Sequence, residues 1–442
     1  MTTAVARAES YRAGELHMRP VNDGNRDSSY GENRYNILHV GKYYPPHMGG
    51  IEIYLQSLVR HQAQHCWVKV IVANDGIRTV RECMDGAELV RLSCMGSIKS
   101  MPICPALPWH VGRAQADIVH MHMPNPAAAF AYIASGCQIP LVLTHHSDTM
   151  GRAKVRRLSE PFVQEAMRRA SRIVVSSKRY ADTSAELESH HDKIEVIPHG
   201  IDPAKHAVAE PETVRRIQSR YGPRIAIAIG RLVPFKGFEI LIRAMQAVPG
   251  NLLLIGEGPL RKHLEAVAKE CGISERVFFM GKIDNSQIAN YLSAADVFSM
   301  PSISRAESFG IVQLEAMAAG VPVVNTSIDS GVPEVSLDGI TGITVPPGDV
   351  HALAHAMTTL LTDGEERLRM GEAGKARVRR EFSEARMSMT TMRVYDEILS
   401  VNANWGASRP ARWHQASGQP QTPIQKNDKP ATSREADCPQ NS

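Results

Sequence analysis

Two carboxylates, Glu307 and Glu315, stand eight positions apart in the segment SISRAESFGIVQLEAMAAG, residues 302–320. Ser308, Phe309 and Gly310 lie between them, and the apolar residues Ile311, Val312, Leu314 and Met317 predict a helix over 309–319. Gly320 followed by Val321-Pro322 supplies the stop, because Gly can take the left-handed cap and Pro cannot continue the helix. Glu307 therefore falls just before a helix N-terminus, and Glu315 falls inside a helix that is otherwise nearly all apolar. A carboxylate in such a helix is costly to desolvate unless something polar meets it. The free N–H groups of Ser308 to Ile311, with the positive end of the helix dipole, offer an anion site beside Glu307. These residue types predict a place for a polyhydroxylated, phosphate-bearing ligand.

Three other groups could join that chemistry. Arg231 and Lys236 follow a predicted strand, and two fixed cations would offset the growing charge of a departing diphosphate without a metal. Gly49-Gly50 opens a predicted helix, where a backbone approaches a phosphate closely, although Gly pairs more often only shape turns. His120 and His122 end one predicted strand, and His145 and His146 end the next. The HxH and HH pairs have no cysteine or carboxylate at ligand spacing, so zinc is not the reading and no metal residue is assigned.

The elements that must position these groups alternate along the chain. Short apolar runs predict strands at 35–40, 68–73, 88–92, 117–120, 140–144, 172–176 and 193–197, with helical segments between several of them. The polar, helix-compatible stretch 204–222 reads as a hinge. A second series follows, with strands at 224–229, 252–255, 277–280, 297–300, 321–325 and 343–345 and helices at 238–248, 258–271, 287–293, 309–319 and 350–363. Such alternation predicts an α/β chain of two doubly wound Rossmann-like halves, whose ligand lies in the cleft between them. A last helix, 383–399, carries Met387, Met389, Met392, Val394, Tyr395 and Ile398 and is expected to cross back. The expected domains are 34–204 and 205–382, a crossing helix 383–401, and disordered tails at 1–33 and 402–442.

Composition narrows the class. The chain has 442 residues, 43% hydrophobic and 22% charged, as in an ordinary globular protein, and a net charge of +4 that does not argue for nucleic acid. Seven scattered cysteines without a CxxC pair fit a reducing compartment, and no apolar run approaches the roughly 18 residues of a membrane span. The expected location is cytoplasmic.

In this order, the motifs resemble those of the retaining GT-B glycosyltransferases of family 4, the bacterial polysaccharide and glycolipid group 1 enzymes, over roughly residues 34–400. They are HGID (199–202), IGRLVPFKG (229–237), IGEGP (255–259), AADVFSMPS (294–302), the spaced pair in ESFGIVQLE (307–315), AMAAGVPVV, GVPEV, DGITG and VPPGD. The resemblance implies that Arg231 and Lys236 bind a donor diphosphate without a divalent ion or other cofactor. It implies that Glu307 meets the transferred sugar and Glu315 the ribose hydroxyls, while backbone N–H groups of Ser308, Phe309, Gly310 and Ile311 take phosphate oxygens. Glu257 would lie near the nucleotide base, or only on a surface turn. Gly49 and Gly50 would lie near the donor phosphates, and His146 would reach the sugar, with His145 the match if the register slips by one. The catalytic set so implied is Glu307, His146, Arg231 and Lys236. Without the ribose contact, Glu315 would be expected to form a salt bridge to a neighbouring helix.

The implied activity is transfer of a sugar, mannose before glucose, from a nucleotide-diphosphate sugar to a lipid-linked or polysaccharide acceptor. A sugar-phosphate synthase, a nucleotide-sugar epimerase and a catalytically dead nucleotide-sugar binder share the fold. The intact set of Arg231, Lys236, Glu307 and Glu315 argues against the last two. The segment Arg152–Arg172 joins Arg156, Arg157, Arg168, Arg169 and Arg172 to Val155, Leu158, Phe162, Val163 and Met167. Such a helix lies on an anionic inner membrane or merely presents a solvated face.

Overall fold

A computed structural model describes residues 35–401 apart from 48, 99–100 and 150–152, and omits the side chains of 153–156 and 158. The two expected tails lie outside the described residues.

The first half is built on β1 (Asn36–Val40), β2 (Trp67–Ala73), β3 (Val80–Met84), β4 (Ala87–Leu92), β7 (Ile118–Met123), β8 (Leu141–His145), β9 (Arg172–Val175) and β10 (Ile194–Val196). A two-stranded hairpin, β5 (Ser97–Ile98) and β6 (Met101–Pro102), stands apart from that sheet. Among the described residues the large sheet runs β10-β9-β8-β7-β1-β2-β4-β3, parallel except where β3 pairs antiparallel with β4. Sequence reading missed β3 because all five of its residues are exposed, so it carries no burial alternation.

The second half holds β11 (Ile225–Ile229), β12 (Asn251–Ile255), β13 (Val277–Gly281), β14 (Val297–Ser299), β15 (Val323–Thr326) and β16 (Gly342–Val345). They form an all-parallel sheet in the order β13-β12-β11-β14-β15-β16. The order steps outward from β11 on one side and from β14 on the other. Such a reversal opens a crevice at the carboxyl ends of the two strands that flank it. In the first half the reversal lies between β1 and β7. The two crevices are where loops carrying polar residues can gather without disturbing a core.

The inner strands of each sheet are buried on both faces, which explains why they read as continuous apolar runs. Val119, Met121, Leu143 and Val163 pack on one face of the first sheet, and Leu55, Leu58, Val70 and Ile118 pack on the other. The chain crosses between the halves twice, and the crossings are paired. Ile201 N–H donates to the Phe382 carbonyl at 2.8 Å, and Glu384 N–H donates to the Ile201 carbonyl at 3.0 Å. The stretch read as a hinge is instead part of the second half. Its helix Pro211–Tyr221 contributes Ile217 and Tyr221 to that core, and Glu210 N–H donates to Asn290 Oδ1 at 2.7 Å. A polar helix, Gly364–Glu381, went unassigned in the sequence because charge dominates it; Asp363 caps it by accepting from Glu366 N–H at 3.0 Å. The last helix, Glu384–Val401, returns to the first half, where Met387, Val394, Tyr395 and Ile398 join the core beside the helix Gly50–Gln62.

Candidate active site

The loops after β11 and β14 carry the charged groups. After β11 the chain turns through Gly230 into a short helical turn, Pro234–Lys236, and then into the helix Phe238–Ala244. Gly237 joins them at φ 69°, where a Cβ would run into the Pro301 carbonyl of the neighbouring loop. That close approach brings Lys236 against the loop after β14, and its Nζ forms an ion pair with Glu307 Oε2. Both side chains are mostly buried, 14% and 12% exposed, so screening by water is weak and removing either partner strands a charge.

Gly310 has φ 77° and caps the helix Ile311–Ala318, which starts two residues later than its sequence suggests. The apolar run could not reveal the left-handed turn. A Cβ on Gly310 would fall 2.5 Å from Met300 Sδ, so the site takes glycine on both counts. The unpaired N–H groups expected at Ser308–Ile311 therefore shift toward Gly310, Ile311 and Val312. Ser308 keeps its carbonyl occupied by Gly331 N–H at 2.7 Å, and the Phe309 side chain is buried.

Glu315 sits one turn into this helix. The salt bridge to a neighbouring helix is not formed: among the described residues no hydrogen bond or ion pair reaches the carboxylate. The side chain keeps an edge to solvent, yet enough protein surrounds it that burial pushes its pKa up to about 7. Arg231 and Glu257 are exposed and have no side-chain partner among the described residues. Arg231 follows β11, which flanks the crevice, and Glu257 follows β12, one strand further out; the structure draws neither into the Lys236–Glu307 pair.

The facing wall is of another kind. On β1, β7 and β8, residues paired in register share a face, and the face alternates at every residue. His39 pairs with His120, and His122 with Thr144. His39, His120, His122 and Thr144 thus point to one side, and two residues beyond Thr144 places His146 there too. His145 points to the opposite side, where its Nδ1 meets Tyr180 Oη at 3.2 Å and its Nε2 meets Glu186 at 3.1 Å. Strand parity separates the two histidines that sequence matching left open. It also corrects one premise: His145 does have carboxylate neighbours, Glu186 and Asp148, though they lie far from it in sequence or on the following loop.

The buried imidazoles form a continuous array. His39 Nδ1 is 3.1 Å from His122 Nε2, His122 Nδ1 is 3.3 Å from His146 Nε2, and His146 stacks on His199 with centroids 5.4 Å apart. Tyr54 meets the edges of His122, His146 and His199. Burial holds His39 at about 4 and His199 at about 3, and His120, His122 and His146 well below the ordinary value, so all five stay neutral near pH 7. His39, His120 and His122 approach closely enough to suggest three metal ligands. Their ring nitrogens are instead engaged by one another and by Gln62, Tyr395 and Thr144.

Among the described residues the two halves meet at several places, three of them beside the candidate site. His199 meets the Phe309 ring at 4.9 Å, and a Cβ on Gly50 would lie 3.8 Å from Ile311 Cδ1. Gly50 opens the helix Gly50–Gln62, with Gly49 as its extended N-cap. Arg305, from the loop that carries Glu307, reaches across to the carbonyl of Thr183 and to Asp148, 3.3 Å away. Sequence reading gave no role to His39, Gln62, Tyr54, His199, Arg305 or Tyr395. His199 carried a signal as part of HGID, Arg305 lay in the segment 302–320 and Tyr395 was named only on the crossing helix; the meaning of the others depends on what lies opposite them.

Two parallel-sheet halves with polar loops at facing crevices define the GT-B glycosyltransferase architecture. The model for glycosyl transferases group 1 matches residues 210–377, and that for glycosyltransferase family 4 matches residues 48–205. A D-rhamnosyltransferase of Pseudomonas aeruginosa is 30% identical over 270 residues, 61% of this chain and 71% of the relative. A GDP-mannose-dependent alpha-(1-6)-phosphatidylinositol monomannoside mannosyltransferase of Mycolicibacterium smegmatis is 29% identical, over 77% of this chain and 92% of its own. The sucrose-phosphate synthase structure from Thermosynechococcus elongatus superposes with a TM-score of 0.71 at 22% identity, covering 83% of this chain and 100% of that one. The chain belongs to glycosyltransferase family 4, and it is an enzyme of sugar transfer.

Proposed function

We propose that the protein is a retaining, metal-independent glycosyltransferase that moves a sugar from a nucleotide-diphosphate sugar to a lipid-linked or polysaccharide acceptor, at the cytoplasmic face of the inner membrane. Mannose is the first choice of sugar and glucose the second. The observation that carries the reading is the Lys236–Glu307 ion pair, set at the crevice beside a helix N-terminus and facing the buried His146 wall. The mannosyltransferase relative supports the choice of sugar and of a lipid-borne acceptor.

In this reading Lys236, with Arg231 from the same loop, neutralises the diphosphate, and the N–H groups at the start of Ile311–Ala318 take phosphate oxygens. Those fixed charges do the electrostatic work that a divalent cation does elsewhere. Glu307 holds the sugar, His146 meets it from the other wall, and Glu315 accepts from the ribose hydroxyls. The bond from the anomeric carbon to the phosphate oxygen breaks as the acceptor oxygen bonds to the same face of that carbon. The acceptor's proton passes to the departing phosphate. Glu307 acts by position and charge, and no side chain bonds to the sugar.

A panel of GDP-mannose, UDP-glucose and UDP-N-acetylglucosamine, read by thermal shift and by donor hydrolysis, tests the donor. GDP-mannose is expected to stabilise most. Glu307→Ala is expected to cut kcat/KM by about 100- to 1000-fold while nucleotide binding persists. Unchanged turnover would remove Glu307 from the site, and a trapped glycosyl ester on it would overturn the transfer step.

A further inference from the structure

The array behind His146 does more than fill the core, because each of its hydrogen bonds has a direction. Gln62, at the end of the helix Gly50–Gln62 and fully buried, is the branching point. Its Oε1 is 2.7 Å from His39 Nε2, and its Nε2 is 3.3 Å from Tyr395 Oη. An amide oxygen only accepts, so His39 carries its proton on Nε2 and donates it. A neutral imidazole has one N–H, which leaves His39 Nδ1 as an acceptor for His122 Nε2–H at 3.1 Å. His122 Nδ1 must in turn accept from His146 Nε2–H at 3.3 Å. The second arm leaves Gln62 as a donor: its amide N–H goes to Tyr395 Oη, the Tyr395 hydroxyl donates to His120 Nδ1 at 2.5 Å, and His120 Nε2–H donates to Thr144 Oγ1 at 2.6 Å.

We propose that Gln62, acting through His39 and His122, fixes the tautomer of His146, so that His146 presents Nδ1 to the cleft as a hydrogen-bond acceptor for a substrate hydroxyl. Among the described residues Nδ1 of His146 has no protein partner, and the ring stands between Tyr54 and His199 beside Phe309. The ligand feature recognised is an O–H that donates, as a sugar hydroxyl does, and not an ether oxygen or an oxyanion. Gln62, His39 and His122 are positioning residues that touch no substrate. Reversing the one amide would invert every bond in both arms and turn His146 Nδ1 into a donor, so the orientation of Gln62 is the quantity to measure. The recognition step rests on the proposed placement of His146 at the transferred sugar; the tautomer itself does not.

The full-length enzyme labelled with 15N-histidine tests it, with the His146 resonances assigned by their loss in His146→Gln. The expected spectrum without substrate shows a protonated Nε2 and an unprotonated Nδ1 on His146. Gln62→Met removes the acceptor and is expected to mix or reverse the tautomers and to lower kcat/KM by about tenfold, a loss the size of one well-placed hydrogen bond. Gln62→Glu, protonated in this buried setting, keeps an accepting oxygen toward His39 and a donor toward Tyr395. It should restore both the tautomer and the rate. Tyr395→Phe cuts only the second arm and should leave His146 unchanged, which keeps the test open even if Gln62→Met fails to fold. An Nδ1–H tautomer in the wild-type enzyme, or a His146 spectrum indifferent to Gln62→Met, overturns the proposal. If the spectra come out as expected but His146→Gln leaves transfer intact, it is the proposed sugar contact that fails instead.

Discussion

The two walls of the cleft are built on the same topology and do opposite electrostatics. On the second-half wall, loops turned by glycine bring Lys236 and Glu307 into contact, and the helix beyond carries Glu315, which has no protein partner among the described residues. On the first-half wall, strand residues carry neutral imidazoles that satisfy one another in the core. Loops can bring a cation to a carboxylate because their backbone is free to turn, as at Gly237 and Gly310. Strands cannot re-aim, but they hold a series of side chains at fixed spacing, which a directional hydrogen-bond array needs. One wall is suited to binding charge, and the other to presenting a defined hydrogen-bonding pattern without charge.

The contrast should appear most strongly as acid is added. For a histidine held neutral by burial, the unfolded chain takes up a proton below about pH 6.5 while the folded chain does not. The stability contributed is complete above that value and is lost as pH falls toward the folded pKa, about 4 for His39 and about 3 for His199. Shifts of that size are worth on the order of 3 to 5 kcal/mol each. Amide hydrogen exchange at pH 8 and pH 5 should therefore show protection falling first on β1, β7 and β8, with β11 and β14 retained. Equal loss in both sheets would break the comparison.

Glu315 should move the other way. Its pKa is raised, so the fold favours the protonated form; that stability is present below the unfolded value near 4.5 and is lost as pH rises through about 7. Glu315→Gln removes the charge and should raise the melting temperature of the ligand-free enzyme at pH 8, with no difference near pH 4. The same change should weaken donor binding by about tenfold at pH 8, the loss expected for one charge-assisted hydrogen bond. Isothermal titration with the nucleotide measures it. A variant that is both more stable and equally tight would sharpen the comparison against the ribose role.

How much of this was legible in the sequence follows from what each feature requires. Parallel strands announce themselves as apolar runs because both faces are covered, and the run 225–229 needed nothing else. Exposed β3 and the arginine-rich helix Gly364–Glu381 had no such contrast to show. Glu307 and Glu315 were legible because they share one local segment, and Lys236 because it sits in a motif that follows an apolar strand, although its contact with Glu307 was not. Gln62, Tyr395 and His39 come from three distant elements, and no spacing connects them. His145 and His146 could be told apart only once the pairing of β7 with β8 had fixed the parity. Arg231 and Glu257 match their motifs, yet among the described residues their side chains have no partner.

The smallest effect is expected at the basic helix Ala153–Arg169, the feature that suggested a membrane surface. Among its described side chains, Val163 and Met167 are buried in the first-half core and Phe162 packs against it, so this part of the apolar face is already occupied. Arg168 and Arg169 both pair with Glu165, at 2.7 Å each, which lowers the charge they present to anionic lipid. Exposed pairs of this kind are screened by water and contribute little to stability. Changing Arg168 and Arg169 together to Ala should thus leave co-sedimentation with vesicles of anionic and neutral lipid unchanged, and the melting temperature within a few degrees. A loss of binding to the anionic vesicles alone would instead place a third, charged surface on the neutral half of the molecule. The division between the two walls would then hold only for the cleft.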